Sequence, residues 1–193
     1  MNDTVNLHSP VVIDAISQET VASRFPMASE PQTGSLLRTL AATKPFGTFL
    51  ELGTGTGLST AWILDGMDST STLLSVDNDD KAQGIARRHL QHDPRVSFHL
   101  GDGAAFLVSL VEQKFDYIFA DTWPGKYDHL NEALALLKPG GLYIVDDMLP
   151  QLNWPSGHEA NVVALIATLE QRSDLTLTKL HWASGLIVAT KRS

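Results

Sequence analysis

The residues best able to do chemistry are a glycine loop and a series of carboxylates that follow it. The loop reads Glu51-Leu52-Gly53-Thr54-Gly55-Thr56-Gly57. Glycines there let the chain turn tightly and let a ligand approach the backbone. A helix opening just beyond would offer free N–H groups. A dinucleotide fingerprint needs glycine at the first, third and sixth positions. Counted from Gly53, the sixth is Leu58. That spacing counts against a nicotinamide dehydrogenase. Glu51, two positions before the first glycine, is a poor neighbour for a pyrophosphate and suits a cationic ligand, such as one carrying a sulfonium and an amino group. Downstream, Asp77 has the chemistry to accept both hydroxyls of a ribose, and Asp102 could accept an adenine amino group. Asp121, Asp146 and Asp147 form a second acidic set. Carboxylate oxygens completed by water suit a hard octahedral cation such as Mg²⁺. With no cysteine in the chain, any metal must be held by oxygen, with at most a histidine in support.

These residues converge only if the chain between them alternates strand and helix. The apolar pattern predicts strands at 48–52, 72–76, 96–100, 115–120 and 142–145, with helices at 58–67, 79–91, 104–111, 127–137 and 158–171. Each of the five strands runs into glycine or aspartate: Gly53, Asp77, Gly101-Asp102, Asp121 and Asp146-Asp147. Alternation of this kind implies a doubly wound, mostly parallel α/β sheet with helices on both faces. Ligands of such sheets bind outside the carboxyl ends of the strands. Two further strands, 175–180 and 186–190, stand too close together for a crossover and should pair antiparallel across Ala183-Ser184-Gly185. The expectation is a Rossmann-like sheet of seven strands with one antiparallel strand near its edge. Residues 1–30 read as a helical extension with a helix at 11–25, and residues 31–193 as the binding domain, opening on a helix at 32–42.

Composition narrows the class. The chain has 193 residues, 43% of them hydrophobic, enough for one domain with a sizeable core. Fourteen Lys and Arg against 22 Asp and Glu give a net charge of −8, which argues against a nucleic-acid partner. The absence of a long apolar run and of a signal-like start leads to the expectation of a cytoplasmic protein with no membrane partner.

With the loop, Asp77 and Gly101-Asp102-Gly103 in view, the chain resembles class I S-adenosylmethionine-dependent methyltransferases over about residues 30–190. Within that class it is most similar to the small metal-dependent O-methyltransferases related to catechol and caffeoyl-CoA O-methyltransferases. Gly34-Ser35-Leu36-Leu37, Ser59 and the terminal Gly185-Leu186-Ile187-Val188-Ala189-Thr190-Lys191 fit that family's pattern. The resemblance implies a methyl transfer from S-adenosylmethionine to a hydroxyl of a small molecule. It implies a cofactor-binding set of Glu51, Gly53, Thr54, Gly55, Ser59, Asp77, Asn78, Gly101, Asp102, Gly103, Asp121 and Trp123. It also implies a divalent metal such as Mg²⁺ on Asp121, Asp146 and Asp147, and a homodimer.

Two positions depart from that pattern. Asp147 stands where the family has Asn. Pro124 stands where it has the lysine proposed as general base, with Lys126 two residues later. Lys126, Asp121 and His158 are the candidate catalytic residues. Lys126 is either a base carried by a reshaped loop or a solvated side chain. His158 is either a base or extra ligand, or a helix N-terminal residue without a catalytic role. Trp154, between Pro150 and Pro155, would form an aromatic wall over the acceptor. A metal-independent methyltransferase and a cofactor-binding regulatory protein without turnover stay open as alternatives.

Overall fold

The computed structural model describes residues 2–5 and 7–193. The elements run α1 (Ile13–Ser23), α2 (Pro31–Ala41), β1 (Thr48–Leu52), α3 (Leu58–Gly66), β2 (Thr72–Asp77), α4 (Asp80–Leu90), β3 (Val96–Leu100), α5 (Gly103–Ser109), β4 (Phe115–Ala120), α6 (Leu130–Ala135), β5 (Leu137–Val145), α7 (His158–Glu170), β6 (Leu175–Leu180) and β7 (Leu186–Lys191). The seven strands form one sheet in the order β3-β2-β1-β4-β5-β7-β6. β1 to β5 pair in parallel, while β7 is antiparallel to both β5 and β6. The expected sheet is therefore the observed one.

Period-two alternation builds a core on each face of this sheet. Phe49, Tyr117, Phe119 and Ile144 point to the face covered by α1 to α4, packing with Ile16, Leu37, Trp62 and Ile85. Leu50, Leu52, Ile118 and Tyr143 point to the other, covered by α5 to α7 through Leu107, Leu134 and Leu165. Aspartates start two of the helices. Asp79 caps α4 by accepting from the Lys81 and Ala82 N–H groups, and Asp102 caps α5 by accepting from Ala105 N–H. The strand order places β1 at the centre, so the glycine loop opens between β2 on one side and β4 on the other.

One element differs from the sequence pattern. The helix expected over 127–137 is shortened to α6, and Lys138-Pro139-Gly140-Gly141, between it and the strand expected at 142–145, lies inside β5. Two local constraints cause this. Lys126, Tyr127 and Asp128 all donate their N–H groups to Trp123 O, which winds the chain into a turn, and His129 leaves that turn in the left-handed region (φ 50°). The glycines then fit a register shift between β4 and β5 opposite Phe115 and Tyr117. Tyr127, freed from the helix, and Lys126 before it both line the site.

Candidate active site

A cavity of about 680 Å³ lies outside the carboxyl ends of the parallel strands. Its walls come from the glycine loop (Gly53 to Thr56, Leu58, Ser59), Asp77 to Asp79, Asp102, the loop after β4 (Asp121 to Pro124 and Lys126 to Asp128), Asp147, Trp154 and His158. The segment Phe25 to Ser29, between α1 and α2, closes one side, and Asn153 Nδ2 donates to Pro26 O at 3.0 Å to tie it to the β5–α7 loop. A second cavity of about 320 Å³ shares that segment with Asp121, Asp146, Asp147 and Gln151.

The β1 half of the site is held by bonds that leave little freedom. Glycine is required at Gly53 (φ 99°), where a Cβ would come 2.8 Å from Asp121 O. Asp77 Oδ2 accepts the Gly55 N–H at 2.7 Å and its Oδ1 accepts the Asp79 N–H at 2.9 Å, so the carboxylate braces the loop it is expected to serve. Glu51 lies elsewhere than expected. It is fully buried and stands behind the cavity wall, and the partly exposed Gly101 and Gly103 do not line the cavity either. Its carboxylate accepts from Ser59 at 2.6 Å and from Thr60 and Ser75 at 2.5 Å. A donor chain feeds this point: Gln83 Nε2 donates to Thr54 Oγ1 at 3.2 Å, and Thr54 and Ser75 hydroxyls meet at 2.7 Å. Burial pushes the Glu51 carboxyl up to about 7, against the pull of the three hydroxyls, because a desolvated charge costs more than those bonds return. Glu51 therefore joins β1, β2 and the first turn of α3 under the loop, and it is not a wall residue facing a cation. Sequence reading missed Thr60, Ser75 and Gln83. The available signal was hydroxyl and amide side chains in segments that are otherwise largely apolar, Leu73-Leu74-Ser75-Val76 the clearest of them.

The β4–β5 half is charged and aromatic. Asp121 and Asp147 line both cavities. Asp146 is buried, and its Oδ1 accepts from the Ser184 hydroxyl and, at 2.8 Å, from the Asp147 N–H. Burial and mutual repulsion hold the Asp121 and Asp146 carboxyls well above the usual carboxylate range, and the Lys126 charge offsets part of this. Asp147 adopts the left-handed region (φ 60°), which Asp and Asn tolerate best among residues with side chains. Lys126 is 4% exposed, so it is not a solvated side chain. Its Nζ donates to Asp146 O at 2.8 Å.

The resemblance implies a metal on Asp121, Asp146 and Asp147. Among the described residues no three acidic or histidine side chains are grouped closely enough to hold a cation.

Trp123, Tyr127, Trp154 and His158 form a ring of edge-on and tilted aromatic contacts, with centroids 4.7 to 5.8 Å apart. Tyr127 Oη and His158 Nε2 lie 3.0 Å apart. His158 is buried, and burial lowers its proton affinity below that of a free histidine. Burial also raises the Tyr127 phenol, so it stays protonated. His158 thus sits at the helix N-terminus and on the cavity wall at once.

Residues 50–148, half of the chain, match the family model described as a methyltransferase domain. The chain belongs to that methyltransferase family. A Mycolicibacterium vanbaalenii protein provisionally named an O-methyltransferase is 31% identical over 61% of this chain and 54% of its own length, so this methyltransferase spans about half of that relative. The catechol O-methyltransferase of Niastella koreensis is 26% identical over 77% of this chain and 71% of its own. Among solved structures, the O-methyltransferase of Bacillus cereus in complex with S-adenosylhomocysteine superposes with a TM-score of 0.84 at 21% identity, covering 97% of this chain and 94% of that one. The O-methyltransferase involved in tomaymycin synthesis in Streptomyces achromogenes, in complex with S-adenosylmethionine, gives 0.85 at 21%, covering 99% and 94%. At that identity the likeness establishes the fold. Among the described residues no helix is long and apolar enough to cross a membrane.

Proposed function

We propose that this methyltransferase binds S-adenosylmethionine at the β1–β3 end of the cavity and transfers a methyl group to a hydroxyl of a small molecule held at the β4–β5 end. The observation that carries the reading is the cavity itself. One space runs from a glycine loop braced by Asp77 to an aromatic wall holding the Tyr127–His158 pair. The relatives' names, O-methyltransferases among them, support the same reaction class.

The residues present suit that cofactor. The loop presents backbone where a side chain would intrude, Asp77 suits a diol, and Asp102 suits an amine. When bound, S-adenosylmethionine supplies an electrophilic methyl group on a sulfonium. The chain's own work is then to position the acceptor and take its proton. Trp154 packs against His158 at the aromatic end, and the half-exposed Trp123 forms its rim. The acceptor proton passes to Tyr127 Oη as the Tyr127 hydroxyl proton passes to His158 Nε2, 3.0 Å away. His158 accepts it because burial keeps the imidazole neutral at neutral pH. Holding both partners side by side in one cavity contributes much of the remaining acceleration.

A divalent cation on Asp121, Asp146 and Asp147 is left out of this reading. Asp146 Oδ1 is already bound to Ser184 and Asp147, and a buried ammonium stands beside the set.

The test is acceptor-dependent formation of S-adenosylhomocysteine across a panel of hydroxylated and amine-bearing small molecules. Turnover on hydroxyl acceptors supports the reading. Turnover on amines alone overturns the hydroxyl assignment. Cofactor binding without turnover on any acceptor favours the regulatory alternative.

A further inference from the structure

The carboxylates at the ends of β4 and β5 have a charged neighbour that the glycine-loop half lacks. Lys126 is 4% exposed, although lysine is among the residues least often buried. A reshaped loop delivers it. Pro124 pairs with Asp128 across the turn, and the Gly125 N–H donates to Asp128 O at 2.8 Å. Gly125 takes φ 89°, and a Cβ there would meet Leu52 Cδ1 at 2.4 Å. The buried Tyr143 hydroxyl donates to Gly125 O and pins the turn from below. Pro124 and Gly125, which made the backbone path hard to read from sequence, are thus the residues that turn Lys126 inward.

The ammonium has three donors. One is bonded to Asp146 O at 2.8 Å, and Nζ also lies 5.2 Å from the Tyr127 ring centroid. Its charge favours the ionised forms of both Asp121 and Asp146. The side chain lines the same cavity as Asp121, Asp147, Tyr127 and His158. Beside it, no three acidic or histidine side chains among the described residues are grouped to hold a metal, and Asp146 Oδ1 already accepts from Ser184 and the Asp147 N–H.

We propose that the Lys126 ammonium is the resident cation of this site, occupying the acidic end of the cavity in the role a divalent metal would fill. In the reaction it offers its remaining N–H donors to the acceptor oxygen as negative charge develops there, an electrostatic role. The inference rests on the methyl-transfer reading above, and it adds that neither folding nor turnover needs a divalent metal.

The experiment is a Mn²⁺ titration followed by electron paramagnetic resonance, with thermal melts in EDTA and in MgCl2, on the wild type, Lys126→Met and Lys126→Arg. S-adenosylhomocysteine binding is measured by calorimetry on the same samples. For the wild type the expected results are no Mn²⁺ binding below about millimolar, a melt indifferent to EDTA, and turnover unchanged by EDTA, because hard-cation sites of useful affinity need several free oxygen ligands. Lys126→Met is expected to lose roughly 100-fold or more in kcat, as for loss of an oxyanion donor, and to gain Mn²⁺ binding and a Mg²⁺-dependent rise in Tm. Lys126→Arg is expected to keep metal independence. Micromolar Mn²⁺ binding by the wild type, or turnover lost in EDTA and restored by Mg²⁺, overturns the proposal. So does a Lys126→Met variant with wild-type kcat. If Lys126→Met fails to fold, the wild-type titration and EDTA melts decide alone. Failure of S-adenosylhomocysteine to bind would count against the cofactor reading, whereas its binding together with micromolar Mn²⁺ would remove the Lys126 assignment alone.

Discussion

The two ends of the cavity are built on opposite principles. At the β1–β3 end the polar groups are satisfied within the protein: Glu51 by three hydroxyls, Asp77 by two backbone N–H groups, and Asp102 by the α5 N-terminus. At the β4–β5 end they are not. Asp121 and Asp146 repel one another, Asp147 sits at positive φ, and His158 Nδ1 and Trp154 Nε1 are buried without a protein partner. Unsatisfied buried polar groups are costly. A fold keeps them where a ligand uses them. The contrast points to a preformed cofactor cradle facing an acceptor site that is completed by its substrate.

The sharpest way to break this comparison is to empty the cradle's support. Glu51→Ala strands three buried hydroxyls, and each unmade buried bond costs about 1–3 kcal/mol. We expect urea denaturation to show a loss of about 3–5 kcal/mol, with S-adenosylhomocysteine affinity falling by roughly 100-fold or more. A fully stable Glu51→Ala variant would mean that the network is incidental.

On the other side, His158→Gln and Tyr127→Phe should lower kcat by about 10²–10³-fold, the range of general-base catalysis, and leave cofactor affinity within about twofold. The pH profile checks the assignment. Because burial lowers the His158 pKa below 6.5, the neutral base persists to more acid pH than for a free histidine, so the acid limb of kcat should lie below pH 6.5. It should disappear in His158→Gln.

The cradle also carries a pH signature. Glu51 binds its proton more tightly when folded (about 7) than when unfolded (4.5). Between those values the folded state holds more protons, so this group's contribution falls as pH rises from 4.5 and levels off above 7. The total is about 3 kcal/mol at about 1.4 kcal/mol per unit. Glu51→Gln should flatten that fall in denaturation measured across the window.

Smaller effects sharpen the division of labour. Asp77→Asn weakens a charge-assisted brace on Gly55, worth about 1.5–3 kcal/mol, and should appear in cofactor affinity with KM for the acceptor unchanged. Trp154→Ala removes a ring contact worth about 1 kcal/mol and should raise acceptor KM several-fold with cofactor affinity unchanged. Crossed results for these two variants would erase the boundary between the ends.

The same division explains what could be read from sequence. Strand ends and the antiparallel pairing of the last two strands followed from apolar runs punctuated by Gly and Asp, because register and burial are encoded locally along each strand. Gly53, Gly55, Asp77 and Asp102 lie where backbone geometry forces them, and all four line the cavity. Glu51 was placed correctly along the chain but on the wrong side of the wall. Its side-chain direction depended on Ser75, its partner across the β1–β2 register, and on two hydroxyls of α3. Lys126 and Tyr127 were harder still. Their direction is set by a left-handed Gly125, three N–H groups converging on Trp123 O and a hydroxyl from Tyr143, which are contacts between segments that carry no periodic signal. Segment 25–29 joined the site through Asn153 and Asp121, far away in sequence.

Calorimetric titration of the metal-free protein with S-adenosylhomocysteine tests the central claim most directly. The account expects saturable binding at one site per chain in EDTA, retained in His158→Gln and weakened in Asp77→Asn. No binding at millimolar ligand, or equal binding by wild type and Asp77→Asn, would contradict it.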